Sequence, residues 1–337
     1  MSPLHLRASL RQVPIMMTIN DFCAKQIAFI FLGQGEKLSF RNDNLLILDK
    51  DKKIKYQITC YRIFALFIVG HFVLTSGLIQ RSHKFGFPIY LMTNSLKLYE
   101  SFGGQMDGNV LLRKAQYEYE GLSIGKHILS NKILVQRSVL NLQRKKDASL
   151  LNAIHLLADY NQRIHDYEGP LDGLLGYEGA AARLYFKHEF NNISWTARHP
   201  RIKPDYINAT LDIGYTILFN FIDALLRLYG FDTYCGVLHR QFYMRKSLVC
   251  DIMEPFRPII DHQIRKAINL NQCKETDFTE VNRQYLLQWK KNKDYVAFLL
   301  KAILDYKRDI FLYIQQYYRA FMKHKNPDEF PLFIIKS

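Results

Sequence analysis

Apolar and polar residues alternate in short blocks through the first third of the chain, a pattern typical of β-strands. Blocks of this kind lie at 26–32, 37–41, 44–49 and 53–59, separated by polar turns. The continuous apolar run IFALFIV at 63–69 predicts a strand that is buried on both faces. A short helix that begins at Thr75 and ends at Gly86 follows, and the segments PIYLMT and LKLYES predict two further strands.

The glycine-rich segment GGQMDG at 103–108 predicts a linker, and beyond it the apolar residues recur with a helical period. Asp205 and Gly230 are placed to begin and end one long helix, and another long helix is predicted at 293–324. The predicted fold class is therefore α+β. It has a β-rich N-terminal domain at 1–105 and a larger all-α domain at 106–337.

Composition changes this picture by adding a strong positive charge. The chain has 337 residues, with 46 Lys and Arg against 31 Asp and Glu, which gives a formal net charge of +15. Such an excess favours a polyanionic partner such as nucleic acid, because each basic side chain set against a phosphate releases condensed counterions. The alternative is a basic protein whose charge only keeps it soluble.

Cysteine usage and hydropathy favour a cytosolic protein. The five cysteines are scattered and form no C-x-x-C pair, which indicates neither a zinc knuckle nor a disulfide framework. The longest apolar run, at 63–74, is too short to span a bilayer, so no membrane association is expected. Residues 1–17 lack the apolar stretch of a signal peptide, and Met16 or Met17 is an alternative start.

Glu178 is the first candidate for chemistry because it stands between small and apolar residues in LLGYEGAAARLYF, at 174–186. The surrounding glycines and alanines predict close approach of another element, so the carboxylate should point into a crowded interior or cleft. An unpaired buried charge costs several kcal/mol, so Glu178 needs a partner. The structural alternative is an ion pair with a local arginine such as Arg183.

Two acids in SLVCDIMEPFRPIID, at 247–261, are the second candidate. Asp251 and Glu254 are three residues apart and therefore share a face of a helix, as a divalent-cation site requires. The alternative is a first helical turn whose acids complement the helix dipole. Pro255 would clash with the carbonyl of Asp251 deep in a helix, so both acids are expected in a first turn or at a kink. His239, in CGVLHRQFYM, decides nothing alone.

Together these segments resemble a known family, the CRISPR-associated adaptation integrases. The resemblance rests on L-x-G-x-E-G-x-x-A-R-x-Y-F at 174–186, D-Y-I-N-A-x-L-x-x-G-Y-x-I-L at 205–218, G-x-L-H at 236–239 and S-L-x-x-D-x-M-E-x-F-R-P at 247–258. Their order and spacing agree with the family, and the resemblance extends over about 20–325. Pro255 departs from the glutamate expected in many relatives, which affects the local helix geometry.

The resemblance implies a metal-dependent DNA endonuclease and integrase that joins the 3′-hydroxyl ends of short DNA fragments into a CRISPR repeat. Glu178, His239 and Glu254 match the ligands of a divalent cation, Mg²⁺ or Mn²⁺. Asp251 matches the acid that supports the site, so the implied catalytic set is Glu178, His239, Asp251 and Glu254. Arg257 matches a basic residue near the phosphate.

Further DNA contacts are also expected. The resemblance implies that Tyr215 and Asn208 reach DNA near the site. Lys290, Lys291 and Lys293, beside a tryptophan, form a basic cluster that suits phosphate contacts and stacking. The alternative for most basic residues in the last helices is the solvated face of an amphipathic helix.

The resemblance also implies partners: a homodimer formed through the β-rich half, a small second adaptation subunit, and DNA as fragment ends and CRISPR repeat. A companion exonuclease and a prokaryotic cytoplasm are consistent with it. The segment FPLFII at 330–335 is predicted either to dock that subunit or to pack on its own domain. Two rival functions remain, a non-catalytic basic DNA-binding scaffold and a metal-dependent nuclease of branched DNA in repair.

Overall fold

The computed structural model describes residues 17–104, 108–191, 193, 195–239 and 243–335. The predictions made for residues 1–16, and the predicted domain boundary between 105 and 106, lie outside these described residues. Within them, a β-rich half is followed by a helical half, which confirms the predicted fold class.

A four-stranded sheet is the centre of the first half. It contains strands β1 (Gln26–Leu32), β5 (Ile63–Gly70), β6 (Ile89–Met92) and β7 (Leu98–Phe102), in the order β1–β5–β6–β7. The first three strands are parallel, and β7 is antiparallel to β6. Every residue of β5 from Ile63 to Val69 is buried, which confirms the prediction of a strand covered on both faces.

A three-stranded antiparallel meander covers one face of this sheet. It contains β2 (Lys37–Arg41), β3 (Asn44–Leu48) and β4 (Ile54–Thr59). Because side chains alternate along a strand, Leu66 and Ile68 of β5 pack towards the meander. Ala65, Phe67 and Val69 point to the opposite face and join the core of the helical half. The two halves therefore share the sheet.

Two short helices complete the β-rich half. They are α1 (Ile19–Ala24) and α2 (Ser76–Phe85). The second begins after Thr75 and ends at Gly86, as predicted, and the φ of Gly86 is 68°. This left-handed conformation carries no steric penalty for glycine, so the chain can turn there into β6.

The helical half is built around one apolar helix. Its helices are α3 (Val110–Glu118), α4 (Ser123–Asn141), α5 (Ala148–His165), α6 (Leu171–Glu189), α7 (Tyr206–Tyr229), α8 (Ser247–Met253), α9 (Arg257–Asn269), α10 (Asn292–Asp305) and α11 (Lys307–Met322). Asp205 caps α7 and Gly230 ends it, as predicted. Among the described residues, α7 alone is long and apolar enough to cross a membrane, but 83% of its apolar window is buried inside the protein, as in a core helix.

Three local features differ from, or refine, the sequence prediction. The last helix, predicted to be continuous over 293–324, is two helices that break at Tyr306, where no glycine or proline signals a break. A hairpin of β8 (Phe278–Val281) and β9 (Gln284–Leu287) lies inside the helical half and was not predicted. A 3-10 turn, Glu254–Phe256, interrupts the helix between α8 and α9, which confirms the expected kink for Glu254, whereas Asp251 lies in the second turn of α8 and not in a first turn or at the kink.

Candidate active site

Glu178 lies in the middle of α6 on a side of the helix that faces Lys132 of α4. Its side chain is 21% exposed. A Cβ atom added at Gly176 or Gly179 would meet no described atom within 4 Å, so the expected close approach of another element at these glycines is wrong. The small residues instead leave space beside the carboxylate.

The partner of Glu178 is a lysine from a different helix. Nζ of Lys132, in α4, lies 2.5 Å from Oε1 of Glu178 and 2.6 Å from Oε2 of Glu254. Within the described residues this cation takes the place proposed for Arg183. Burial lowers the pKa of Lys132, but the charges of Glu254 and Glu178 outweigh it and raise that pKa above its ordinary value. One ammonium therefore bridges two of the three predicted metal ligands.

Sequence reasoning missed Lys132, although α4 carried a signal for it. Residues four apart along α4 form one buried row, and its members are Ile124, Ile128, Lys132, Gln136 and Leu140. A lysine and a glutamine in an otherwise apolar row require polar partners, because a buried charge is otherwise very costly. Such an interruption indicates a polar site facing the helix.

Glu254 lies at the kink between α8 and α9 and is the most strongly paired of the predicted acids. Its Oε1 accepts a hydrogen bond from Nε of Arg257 at 2.9 Å, while Lys132 approaches Oε2. Burial raises the pKa of Glu254, but the charges of Arg257 and Lys132 together lower it to about 2. Both oxygens of Glu254 therefore face a cationic side chain.

Asp251 organises the loop that carries His239. The fully buried carboxylate accepts hydrogen bonds from the backbone N–H groups of Val237, Leu238 and His239 at 2.7, 3.0 and 3.0 Å. Nδ1 of His239 lies 2.5 Å from Oδ1 of the same carboxylate. Gly236 is required here, because a Cβ atom at this position would lie 2.6 Å from Asp251 Oδ2. With Nδ1 donating to Asp251, the Nε2 lone pair of His239 is available to a metal.

The donor set fits a divalent cation, although the ligands are not yet gathered around one point. Two carboxylates and an imidazole are suitable ligands for Mn²⁺ and, through oxygen, for Mg²⁺. Within the described part of the chain, no group of three His, Cys, Asp or Glu side chains is close enough to hold a metal. Lys132 stands between Glu178 and Glu254, so a metal would have to displace its ammonium.

A cavity of about 1110 Å³ opens beside these residues and extends to the turn between β6 and β7. Glu254, Arg257 and Tyr215 are among the residues that line it. The basic side chains that line it are Lys97, Lys132, Arg198, Arg201, Lys203, Arg245 and Arg257. A cavity with this lining suits an anionic ligand.

Tyr215 lies in this cavity wall under two guanidinium groups. The Cζ atoms of Arg257 and Arg198 lie 4.7 and 5.3 Å from its ring centroid. Its hydroxyl donates a hydrogen bond to Asp261 at 2.5 Å. Burial raises the pKa of Asp261 to about 7, and although the Tyr215 bond lowers it, the charge of Glu189 adds to the rise.

The other predicted DNA contacts lie elsewhere. Asn208 is fully buried, and its amide binds the backbone of Ala197 and His199, so it holds a loop and does not reach a surface. Its predicted direct DNA contact therefore needs correction: its side chain positions the segment that carries Arg198. The lysine cluster, Lys290, Lys291 and Lys293, lies around the start of α10, where Lys291 pairs with Asp277 at 3.0 Å.

A comparison with protein families decides the relationship. The family profile described as CRISPR associated protein Cas1 matches residues 29–300, which include both halves of the chain.

This chain belongs to the Cas1 family. It is thus a member of the endonuclease and integrase family of CRISPR adaptation, and the resemblance that the four motifs carried is confirmed. A CRISPR-associated endonuclease Cas1 from Thermodesulfovibrio yellowstonii is 30% identical over 223 residues, 63% of this chain and 70% of the relative. Another from Francisella tularensis subsp. novicida is 29% identical over 282 residues, 80% of this chain and 82% of the relative.

Solved structures share the fold at lower identity. A CAS1 protein from Thermotoga maritima has a TM-score of 0.75 and 18% identity, over 88% of this chain and 97% of that one. A casposase bound to integration product has a TM-score of 0.74 and 20% identity, over 92% and 96%. A chain of a Cas6-RT-Cas1–Cas2 complex has a TM-score of 0.77 and 22% identity, over 91% of this Cas1-family chain and 36% of that chain.

Proposed function

We propose that this protein is a metal-dependent DNA integrase of CRISPR adaptation, which joins 3′-hydroxyl ends of short DNA fragments to the CRISPR repeat by transesterification. The observation that carries the proposal is the convergence of Glu178, from α6, and Glu254, from the turn between α8 and α9, on one cation position. The endonuclease names of the relatives and the casposase neighbour support it.

Glu178, Glu254 and the Nε2 atom of His239 would hold Mg²⁺ or Mn²⁺, of which manganese tolerates the nitrogen ligand better. The chemistry that such an ion supplies when bound is polarisation of the scissile phosphate and stabilisation of the leaving 3′ oxygen. Asp251 is a positioning residue in this proposal. Its hydrogen bonds fix the tautomer and the orientation of His239.

The basic side chains beside the carboxylates would bind and orient DNA. Arg257 reaches from Glu254 to the wall of the cavity, so its remaining N–H groups suit a phosphate at the cavity end. Lys132 neutralises the two carboxylates when they carry no ion, and its ammonium becomes available to a phosphate once an ion replaces it.

The reaction exchanges one phosphodiester for another. The 3′ oxygen of a fragment attacks a phosphorus atom of the repeat and loses its proton, the new P–O bond forms, and the old bond to the repeat's 3′ oxygen breaks. The departing oxygen takes up a proton and becomes a free 3′-hydroxyl. With water as the attacking group, the same site would cleave DNA as an endonuclease.

The proposal includes partners and a compartment. Cas1–Cas2 assemblies among the structural neighbours support a small Cas2-type subunit as partner, together with DNA. A homodimer through the β-rich half, a companion exonuclease and the prokaryotic cytoplasm complete the proposed setting. The net charge of +15 supports DNA binding at sites beyond the acids.

The test is a strand-transfer assay with the full chain. A labelled fragment with free 3′-hydroxyls, a supercoiled plasmid with a CRISPR repeat and the small partner subunit are incubated with Mn²⁺ or EDTA. Glu178→Ala is compared with Asp172→Asn, which changes an exposed acid on the same helix. Label should join the plasmid only with Mn²⁺, with the wild type and with Asp172→Asn.

The outcomes separate the rival functions. Binding of DNA without joining, unchanged by Glu178→Ala or by EDTA, would leave a non-catalytic DNA-binding scaffold. Metal-dependent cleavage of branched DNA without any joined product would leave a repair nuclease. DNA affinity itself should change little in Glu178→Ala, because the basic surface and not this carboxylate binds the polyanion.

A further inference from the structure

Residues 330–335 lie in an extended conformation behind the candidate metal site. Phe330, Phe333 and Ile335 are buried, whereas Leu332 and Ile334 are 49% and 69% exposed. Because buried and exposed side chains alternate from Phe333 to Ile335, one side of the segment packs against the helical half. The segment therefore packs on its own domain, one of the two alternatives that the sequence left open.

One side chain of α4 holds the middle of this segment. The buried amide of Asn131 donates a hydrogen bond from Nδ2 to the carbonyl of Phe333, and its Oδ1 accepts one from the N–H of Phe333, both at 2.8 Å. His127, one turn earlier, contacts the carbonyl of Pro331 at 3.2 Å. Asn131 immediately precedes Lys132, so this clamp fixes the helical turn that carries the bridging ammonium.

The same segment also contacts the turn that carries Glu254. The ring of Phe333 packs edge-on against Phe256, with centroids 4.8 Å apart. Phe256 is fully buried, and it follows Glu254 by two residues and precedes Arg257 by one. A displacement of this ring would therefore disturb the turn from which both charged side chains extend.

We infer that Phe333 and Asn131 are positioning residues for the metal site. The observation behind this inference is that one short segment touches both α4 and the Glu254 turn, the two elements that Lys132 joins. The inference rests on the proposed function, because it concerns the ion that Glu178, His239 and Glu254 would hold. Loosening the segment should let α4 and the turn move apart and weaken metal binding.

The test measures Mn²⁺ affinity of the full chain by isothermal titration calorimetry. Phe333→Leu and Asn131→Ala should each raise the Mn²⁺ dissociation constant about 10-fold. This is the lower end of the loss of metal affinity, about 10–100-fold, that follows mutation of residues that orient metal ligands. Two variants serve as controls. Ile334→Ala changes an exposed neighbour in the segment, and Phe87→Leu changes an equally buried ring in the core of the β-rich half.

A further measurement separates positioning from general stability. Positioning predicts that about 10-fold more Mn²⁺ restores strand transfer in Phe333→Leu, whereas Phe87→Leu needs no extra metal even if its melting temperature falls. Should Phe333→Leu fail to fold, Phe333→Met keeps most of the volume and takes its place. Failure of both to fold would overturn the inference, since the segment would then be ordinary core.

The results also separate this inference from the function on which it rests. A wild-type chain that binds no Mn²⁺ would refute the proposed function, and the inference with it. A wild-type chain that binds Mn²⁺ with an affinity unchanged in Phe333→Leu and Asn131→Ala would overturn the inference alone. Equal weakening in Phe87→Leu would do the same.

Discussion

Replacing Lys132 by methionine tests whether a divalent cation takes the position of the ammonium. The substitution keeps the length and apolar stem of the side chain but leaves Glu178 and Glu254 facing each other without the shared cation. Breaking a buried ion pair by removing one partner costs about 3–5 kcal/mol. The lower end applies here, because Glu254 keeps Arg257 and Glu178 is partly exposed.

The expected loss is therefore about 3 kcal/mol in EDTA, and at about 1.4 °C per kcal/mol for a chain of 337 residues the melting temperature should fall by about 4 °C. Saturating Mn²⁺ should reduce this difference to less than half, because the ion supplies the missing charge and has no ammonium to displace. For the same reason Lys132→Met should bind Mn²⁺ more tightly than the wild type does.

Differential scanning fluorimetry with EDTA or Mn²⁺ measures these temperatures, and Lys126→Met is the matched control. Lys126 lies on the same helix, but its ammonium donates a hydrogen bond to the carbonyl of Tyr167 rather than to Glu178 or Glu254. Its melting temperature should differ from the wild type by the same amount in EDTA and in Mn²⁺. If the deficit of Lys132→Met persists unchanged in Mn²⁺, the ion does not occupy the ammonium's position and the reasoning is refuted.

The pH dependence gives a second check on the same variant. Folding lowers the pKa of Glu254 from 4.5 to about 2, so its ion pairs stabilise the wild type above pH 4.5, and this stability is lost as pH falls to 2. Lys132→Met removes part of the cause, so its Glu254 loses less over that window. The stability gap between the two proteins should narrow from pH 5 to pH 2.5 in urea titrations.

Three further predictions concern neighbouring groups. Asp251→Ala should destabilise the fold by about 3 kcal/mol and abolish strand transfer, because three backbone N–H groups and the His239 ring lose their acceptor. An unchanged free energy of unfolding in urea would contradict this. Asp261→Asn should stabilise the protein by up to about 4 kcal/mol above pH 7 and have little effect below pH 4. The reason is that the pKa of Asp261 is raised from 3.8 to about 7, so its ionised form is disfavoured in the fold. Denaturation at pH 4 and pH 8 measures the difference, and equal effects at both pH values would refute the prediction. Asp205→Ala should cost about 1 kcal/mol through loss of the cap of α7, and a melting temperature unchanged from the wild type would contradict that.

Local sequence patterns were sufficient to predict the helices and strands that are determined by residues close together in the chain. The strands of the β-rich half, the cap and stop of α7 and the kink at Pro255 each depend on alternation, a capping side chain or a missing N–H group, all visible in the sequence. The break at Tyr306 is different. No glycine or proline marks it, and the ring of Tyr306 packs on Phe333, 27 residues later, so tertiary packing overrides the helical period there.

The candidate site was predicted in its motif residues but not in its electrostatics. Glu178, His239 and Glu254 could be proposed as ligands because their motifs are short and local, and these roles stay predictions. Lys132 comes from a helix 46 residues before Glu178, and nothing within its own helix identifies its partners. Asn208 shows the converse error, since a polar residue in a family motif was read as a DNA contact although it is fully buried and bonded to the backbone.

Asp251 and Glu254 show why spacing alone could not assign roles to the two acids. Three residues apart on a helix, they were expected to share a face, and either could have been a metal ligand. The structure uses the oxygens of Asp251 for three backbone N–H groups and the His239 ring, so few lone pairs remain for a cation. Among the described residues, the contacts of Glu254 are with the cationic side chains of Lys132 and Arg257, whose charge an ion could replace. The hydrogen-bond inventory of each carboxylate, rather than its spacing, is therefore the basis for proposing Glu254 as the ligand and Asp251 as the residue that orients His239.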